Sequence, residues 1–129
     1  TLDYADRRSR IRVLLVDDDE DAFVITKALL EDIPDHHYSL DYVYRYDDAV
    51  TRILRDEHDV YLVDFLLGAR TGLDLIEEVR SRGCTKPIIC ATMMENHIID
   101  MSIMKAGAAD YLVKGELTAS MLERSIRLL

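Results

Sequence analysis

Asp59-Val60-Tyr61-Leu62-Val63-Asp64, continuing into Phe65-Leu66-Leu67-Gly68, is the stretch from which the rest of the chain can be read. Its first part is an apolar run, rich in β-branched and aromatic residues, that stops abruptly on an aspartate. A run of this length bounded by turn signals predicts a strand buried on both faces. The Asp64 carboxylate then falls where strand gives way to loop. In an open parallel α/β sheet, that edge is where ligands bind. Asp64 is therefore the candidate reactive residue, and the remaining sequence has to supply its partners.

Working outward, the same pattern recurs on both sides. Residues 11–16 read as a buried strand that runs into Asp17-Asp18-Asp19-Glu20-Asp21. A first helix follows, with Phe23, Ile25, Ala28, Leu29 and Leu30 near helical spacing, and it stops before Pro34. Residues 39–44 alternate, with Leu40, Tyr42 and Tyr44 on one face, which predicts a more exposed strand near an edge. Asp47 or Asp48 is expected to cap a short helix carrying Ala49, Ile53 and Leu54. Beyond the opening stretch, Thr71 caps a helix with Leu73, Ile76 and Val79 inward, ending at Gly83. Residues 88–91 form another buried strand, ending in Thr92. A helix bearing Ile98, Ile99, Met101, Ile103 and Met104 runs to Gly107. Residues 111–113 are a last short strand, ending in Lys114, and a final helix begins near Leu117. Five strands alternating with five helices predict one α/β domain, a doubly wound parallel sheet in three layers. Residues 1–10, polar and carrying Arg7, Arg8 and Arg10, read as a lead-in to a domain over 11–129.

The composition narrows the function classes. The 129 residues suffice for one core, and the formal net charge of −9 disfavours a broad grip on nucleic acid or anionic lipid. An acidic balance fits a metal cation or a basic protein partner. No apolar run approaches the roughly 20 residues that span a bilayer, and the polar N-terminus does not read as a signal peptide. Cys84 and Cys90 lack metal-ligand or redox spacing and read as reduced thiols of a cytoplasmic protein. His36, His37, His58 and His97 form no ligand pattern.

Four strands end on polar residues: Asp17 and Asp18, Asp64, Thr92, and Lys114. In a parallel sheet all these ends share one edge, which gathers residues that no local motif could. Three carboxylates would repel one another, and a hard cation such as Mg²⁺ removes that penalty while keeping waters and phosphate oxygens as further ligands. Asp64 can attack phosphorus as a carboxylate nucleophile. The added charge, about −1.5 to −2 by analogy with phosphoesters, would be offset by Mg²⁺ and Lys114, with the Thr92 hydroxyl donating to a phosphoryl oxygen. Taken singly, each residue has a plainer reading: acids at a helix start favour the helix dipole, and a lysine past a strand usually points into solvent. Their ordered recurrence at four strand ends is what carries the inference.

The chain from Ile11 to Leu129 resembles the receiver domain of two-component response regulators. The resemblance rests on Val-Asp17-Asp18, Val-Asp64, Pro87 through Thr92, and Ala-Gly107-Ala-Ala-Asp-Tyr111-Leu-Val-Lys114. It implies a flavodoxin-like strand order of 2-1-3-4-5, Asp64 as phosphoacceptor, and Asp17 and Asp18 as the acidic pair holding Mg²⁺. It further implies the Leu66 backbone carbonyl as a metal ligand, and Thr92 and Tyr111 as a switch pair. The implied phosphodonor is a histidine kinase or phosphotransfer protein. The implied output is a change around helix 4, strand 5 and helix 5, where apolar excess on helix 4 is compatible with a homodimer. Such a domain is no enzyme beyond its own phosphorylation and dephosphorylation.

The sequence also departs from that family. Gly115 follows Lys114 where proline with a cis bond is common, so Lys114 is expected to be held differently. Gly68 replaces a frequent proline, Phe65, Leu66 and Leu67 make an apolar loop, and Met93 and Met94 stand where smaller residues are usual. Leu66, Met93 and Met94 are expected to slow phosphorylation and hydrolysis, since none can orient a water by hydrogen bonding. The last helix lacks a Gly or Pro stop, which fits an excised receiver continuing into a linker and output domain; a single-domain receiver is the alternative. Three other functions compete with this one: a pseudo-receiver binding module, an Mg-dependent aspartyl phosphatase, and an FMN carrier. The phosphatase would want a second aspartate where Leu66 stands. For the carrier, the acids at 17–21 would repel a flavin phosphate.

Overall fold

Strands that are apolar on both faces need cover on both faces, and the alternation of strand and helix provides it. The structure, a computed structural model, describes residues 10–34, 37–93 and 96–129. In chain order the main elements are β1 (Arg10–Val16), α1 (Glu20–Glu31), β2 (His37–Val43), α2 (Tyr46–Leu54), β3 (Val60–Asp64), α3 (Gly72–Ser81), β4 (Ile88–Thr92), α4 (His97–Ala106), β5 (Asp110–Val113) and α5 (Ala119–Arg127). The sheet has 5 strands in the order β2-β1-β3-β4-β5, all parallel. This is the flavodoxin-like, doubly wound order expected from the sequence.

Strand periodicity divides the core in two. Leu14, Val16, Tyr61 and Val63 face one side and pack with residues of α2, α3 and α4. Val13, Leu15, Val60 and Leu62 face the other and pack with α1 and α5. Every residue of β3 is buried, as its apolar run requires. The Tyr61 hydroxyl meets that burial by donating to the Ile53 carbonyl at 3.2 Å, and burial pushes its pKa up to about 12.

Several boundaries differ from the sequence reading. β1 starts at Arg10, inside the expected lead-in, because its backbone pairs with His37 of β2. β2 itself spans 37–43 rather than 39–44. Helix α2 has Arg45 as N-cap, without a side-chain cap; Asp47 and Asp48 lie in the first turn, where their charge suits the positive helix end. The chain does not enter α5 at Leu117: a 3₁₀ turn at Lys114–Glu116 comes first, and Thr118 caps α5 by accepting from the Met121 N–H. The expected loop after Asp64 contains a two-residue antiparallel ribbon, Leu66–Leu67 against Arg70–Thr71. Thr71 does cap α3, in a capping box with Asp74. Residues 1–9, and with them most of the expected lead-in, lie outside the described residues, as do His36 and Met94.

Gly72 opens α3 against the end of β3. Its N–H donates to the Phe65 carbonyl at 2.6 Å, and a Cβ there would lie 2.5 Å from the Asp64 carbonyl oxygen. Backbone on both sides leaves little room to relax. Gly72→Ala is expected to cost about 1–3 kcal/mol, as overpacking does, measured as a lower urea midpoint; an unchanged midpoint would contradict the close approach.

Candidate functional site

Register decides which strand-end residues meet. Val16 of β1 pairs with Val63 of β3, so Asp17 and Asp64 emerge level with each other. Asp64 pairs with Ala91 of β4, which puts Thr92 one step beyond. Thr92 pairs with Val113 of β5, and Lys114 follows. Four segments distant in sequence thus converge on the carboxyl edge of the sheet.

The side chains complete the convergence. One oxygen from each of Asp17, Asp18 and Asp64 lies within 4.8 Å of the others. Lys114 Nζ donates to Asp17 Oδ2 at 2.7 Å and sits 3.4 Å from Asp64 Oδ1. Asp17 Oδ1 accepts from the Asp19 N–H at 2.9 Å, so both of its oxygens are engaged. Asp19 caps α1 in turn. Asp17 and Asp64 are 1% and 5% exposed, while Asp18 is open to solvent. Thr92 is also buried, and its Oγ1 has no hydrogen-bond partner among the described residues. An unpaired buried hydroxyl is costly, roughly 1–3 kcal/mol, unless something arrives to accept from it.

Lys114 reaches this cluster without a cis bond. Among the described residues every peptide is trans, that between Lys114 and Gly115 included. The 3₁₀ turn beginning at Lys114 carries the chain away instead. Tyr111 is half-buried on β5 and packs against the α2–α4 core. Leu66 lies in the ribbon directly after Asp64, with its side chain 54% exposed, and Met93 is 64% exposed. Neither side chain is folded over the carboxylates as a buried plug.

Sequence reasoning did not single out Asp100. This α4 residue is nearly fully buried, and its Oδ1 has no partner among the described residues. Its spacing of three from the buried Ile103 was the available signal, since both then face the sheet.

The electrostatics follow from burial. Burial first, and then the charge of Asp17, push the Asp64 pKa up to about 6, although Lys114 acts against both. Burial alone would lower Lys114; the hydrogen bond to Asp17 and the charges of Asp64 and Asp17 outweigh it, leaving Lys114 raised. Asp64 is therefore largely ionised at pH 7 to 8. Three carboxylates against one ammonium leave a charge of about −2 when all are ionised, from three negative and one positive group. A hard dication fits that deficit and that all-oxygen donor set.

A folded-state pKa above the unfolded value means that Asp64 favours the fold when protonated. That contribution is fully present below about pH 4 and is lost as pH rises through about 6. Asp64→Asn, without divalent cations, is accordingly expected to be more stable than wild type at pH 8 by on the order of 2–3 kcal/mol. The gain should vanish near pH 4 in urea melts; a difference independent of pH would contradict it.

Comparison with known proteins agrees with this geometry. Residues 13–126 match the response regulator receiver domain family. The transcriptional regulatory protein DltR of Streptococcus agalactiae is 33% identical over 104 residues, 81% of this chain and 45% of DltR. Protein RcaC of Microchaete diplosiphon is also 33% identical over 104 residues, but these make up 16% of its length. The chain thus spans less than half of either relative. Among solved structures, the signal receiver domain of a Vibrio parahaemolyticus protein described as a Luxo repressor superposes with a TM-score of 0.81 at 27% identity, covering 92% of this chain and 88% of that one. The beryllofluoride-activated receiver domain of Klebsiella pneumoniae RstA gives 0.78 at 26%, covering 91% and 96%. With its sheet order, its carboxyl-edge aspartates and a family match over nearly its whole length, the chain belongs to the receiver domains of two-component response regulators.

Proposed function

We propose that Asp64 accepts a phosphoryl group from a phosphohistidine on a histidine kinase or phosphotransfer protein. The observation that carries this reading is the Asp17–Lys114–Asp64 cluster beside a buried, unpartnered Thr92 hydroxyl. Asp17, Asp18 and Asp64, with the Leu66 backbone carbonyl, are the residues that would hold Mg²⁺. Bound there, Mg²⁺ would neutralise carboxylate charge and draw electron density from the phosphoryl oxygens.

The chain's own groups do the rest. The ionised Asp64 oxygen forms the new O–P bond, the P–N bond to the donor breaks, and the leaving imidazole nitrogen keeps its electron pair. Lys114, already 3.4 Å from Asp64, faces the transferred charge without a large movement. Thr92 gains the acceptor that its hydroxyl lacks. Catalysis stays confined to the chain's own Asp64, including its later hydrolysis. The exposed Leu66 and Met93 flank the site with side chains that cannot position a water, which favours a slow loss of the phosphoryl group. An aspartyl phosphatase would need an acid where Leu66 stands.

A groove of about 280 Å³ runs beside Asp17 and Lys114, with Ala22, Ile25, Met93 and Leu117 among its lining. Ile25 is exposed at its α1 side. This apolar rim next to the reactive carboxylate suits the donor protein. Movement of Thr92 would be relayed through Tyr111 to α4, β5 and α5. On that face Ile98, Met101, Met104 and Met121 are exposed, a surface suited to a second copy or to an output domain. The free thiols Cys84 and Cys90 accord with a cytoplasmic setting. No helix among the described residues is long and apolar enough to cross a membrane.

Titration with beryllofluoride and Mg²⁺, followed by amide NMR, tests the assignment. Wild type is expected to show saturable shifts at Thr92, Tyr111 and α4. Asp64→Asn should show none, and Thr92→Ala should bind but lose the shifts at α4. Equal responses from wild type and Asp64→Asn would contradict the reading.

A further inference from the structure

Residues 65–71 turn back as a short ribbon, Leu66 opposite Thr71 and Leu67 opposite Arg70, with Gly68 at its tip at φ +70°. So small a ribbon cannot hold its own shape, since even longer isolated hairpins are marginal in water. Its first half is anchored by Leu67, buried in the core. Its return half is anchored at the surface by Arg70. The guanidinium carbon lies 3.9 Å from the centre of the Tyr46 ring, and Nη2 lies 3.8 Å from Glu78 Oε1. The Tyr46 hydroxyl donates to that same Glu78 oxygen at 2.9 Å. Tyr46 opens α2 and Glu78 belongs to α3, so Arg70 ties the ribbon to both helices at once.

We infer that the Arg70–Tyr46–Glu78 cluster is a positioning latch for the loop that carries the Leu66 carbonyl, and that it sets the site's preference for Mg²⁺ over Ca²⁺. The inference rests on the reading of Asp64, Asp17, Asp18 and Leu66 given above. Upstream, the loop is fixed at Phe65, whose N–H donates to the Ala91 carbonyl at 2.8 Å and whose carbonyl accepts from Gly72. The next fixed points are Leu67, Arg70 and Thr71, the last held opposite Leu66 by its capping box with Asp74, so a carbonyl at Leu66 is only as well placed as all three are. Mg²⁺ demands near-ideal octahedral geometry, whereas Ca²⁺ tolerates irregular and larger shells. A loosened loop therefore penalises Mg²⁺ first.

Charge gives the latch a sign that separates it from a general field effect. Arg70 is a cation, so its removal should, by Coulomb attraction alone, tighten the binding of any divalent ion. Positioning requires the reverse for Mg²⁺. Tyr46→Leu removes the ring under the guanidinium without changing charge, and so tests the same contact from the other partner.

The experiment is calorimetric titration of wild type, Arg70→Met and Tyr46→Leu with Mg²⁺ and, separately, Ca²⁺. Thermal melts in EDTA and hydrogen exchange over residues 65–71 accompany it. Both variants are expected to bind Mg²⁺ about three- to tenfold more weakly, the range of one exposed cation–π contact with its ion pair. Ca²⁺ affinity should hold or rise, and the ribbon amides should exchange faster while the fold melts cooperatively. Mg²⁺ binding by Arg70→Met as tight as wild type, or an equal loss of both ions, overturns the latch and leaves the Asp64 assignment standing. Failure of wild type to bind Mg²⁺ at all overturns both.

Discussion

The Lys114 ammonium, held between Asp17 and Asp64, is the interaction on which the site depends. Three carboxylates within 4.8 Å of one another cannot all be ionised and sheltered from water without a counter-charge. The lysine that meets Asp17 comes from 97 positions away, across the full width of β3 and β4. Only a parallel sheet with β1 beside β3, and β4 and β5 on the far side, brings those ends to one edge. Charge balance at the site and the topology of the fold are thus one constraint. The residual negative charge follows from the same shortage of cations, and the charge of Asp17 adds to burial in raising the Asp64 pKa.

Among the described residues, Thr92 has a buried hydroxyl with no acceptor, and Asp100, on α4, has a buried carboxyl oxygen with no donor. Thr92 ends β4, and Asp100 lies in the first half of α4. Unsatisfied polar groups raise the energy of the arrangement that buries them, so under the proposed phosphorylation of Asp64 any rearrangement that satisfied them would be favoured. The exposed Ile98, Met101 and Met104 lie on the same helix.

Much of this was legible in the sequence because it depends on periodicity and order. The apolar runs at 11–16, 60–64, 88–91 and 111–113 identify the strands, and the polar residues that end them are Asp17, Asp64, Thr92 and Lys114. What escaped were features set by tertiary contact. A cap at Asp47 or Asp48 is locally reasonable, yet α2 begins at Tyr46, whose ring packs on the core and whose hydroxyl binds Glu78 of α3. The ribbon after Asp64 carries no strand pattern of its own; Arg70 holds it through partners at positions 46 and 78. Asp100 looks like a solvent-facing polar residue in a sequence and is buried only because α4 packs on the sheet. Gly115 left open how Lys114 is held, and a trans bond with a 3₁₀ turn is the answer.

Asp64 is the group proposed to receive the phosphoryl. Incubation with a small phosphodonor such as acetyl phosphate and Mg²⁺, followed by mass spectrometry of the intact chain and of its peptides, tests it most directly. The expected result is the mass of one added phosphoryl group, labile to hydroxylamine, on the peptide containing Asp64, and its loss in Asp64→Asn or when EDTA replaces Mg²⁺. A phosphoryl group found on another residue, or one retained in Asp64→Asn, would contradict the claim.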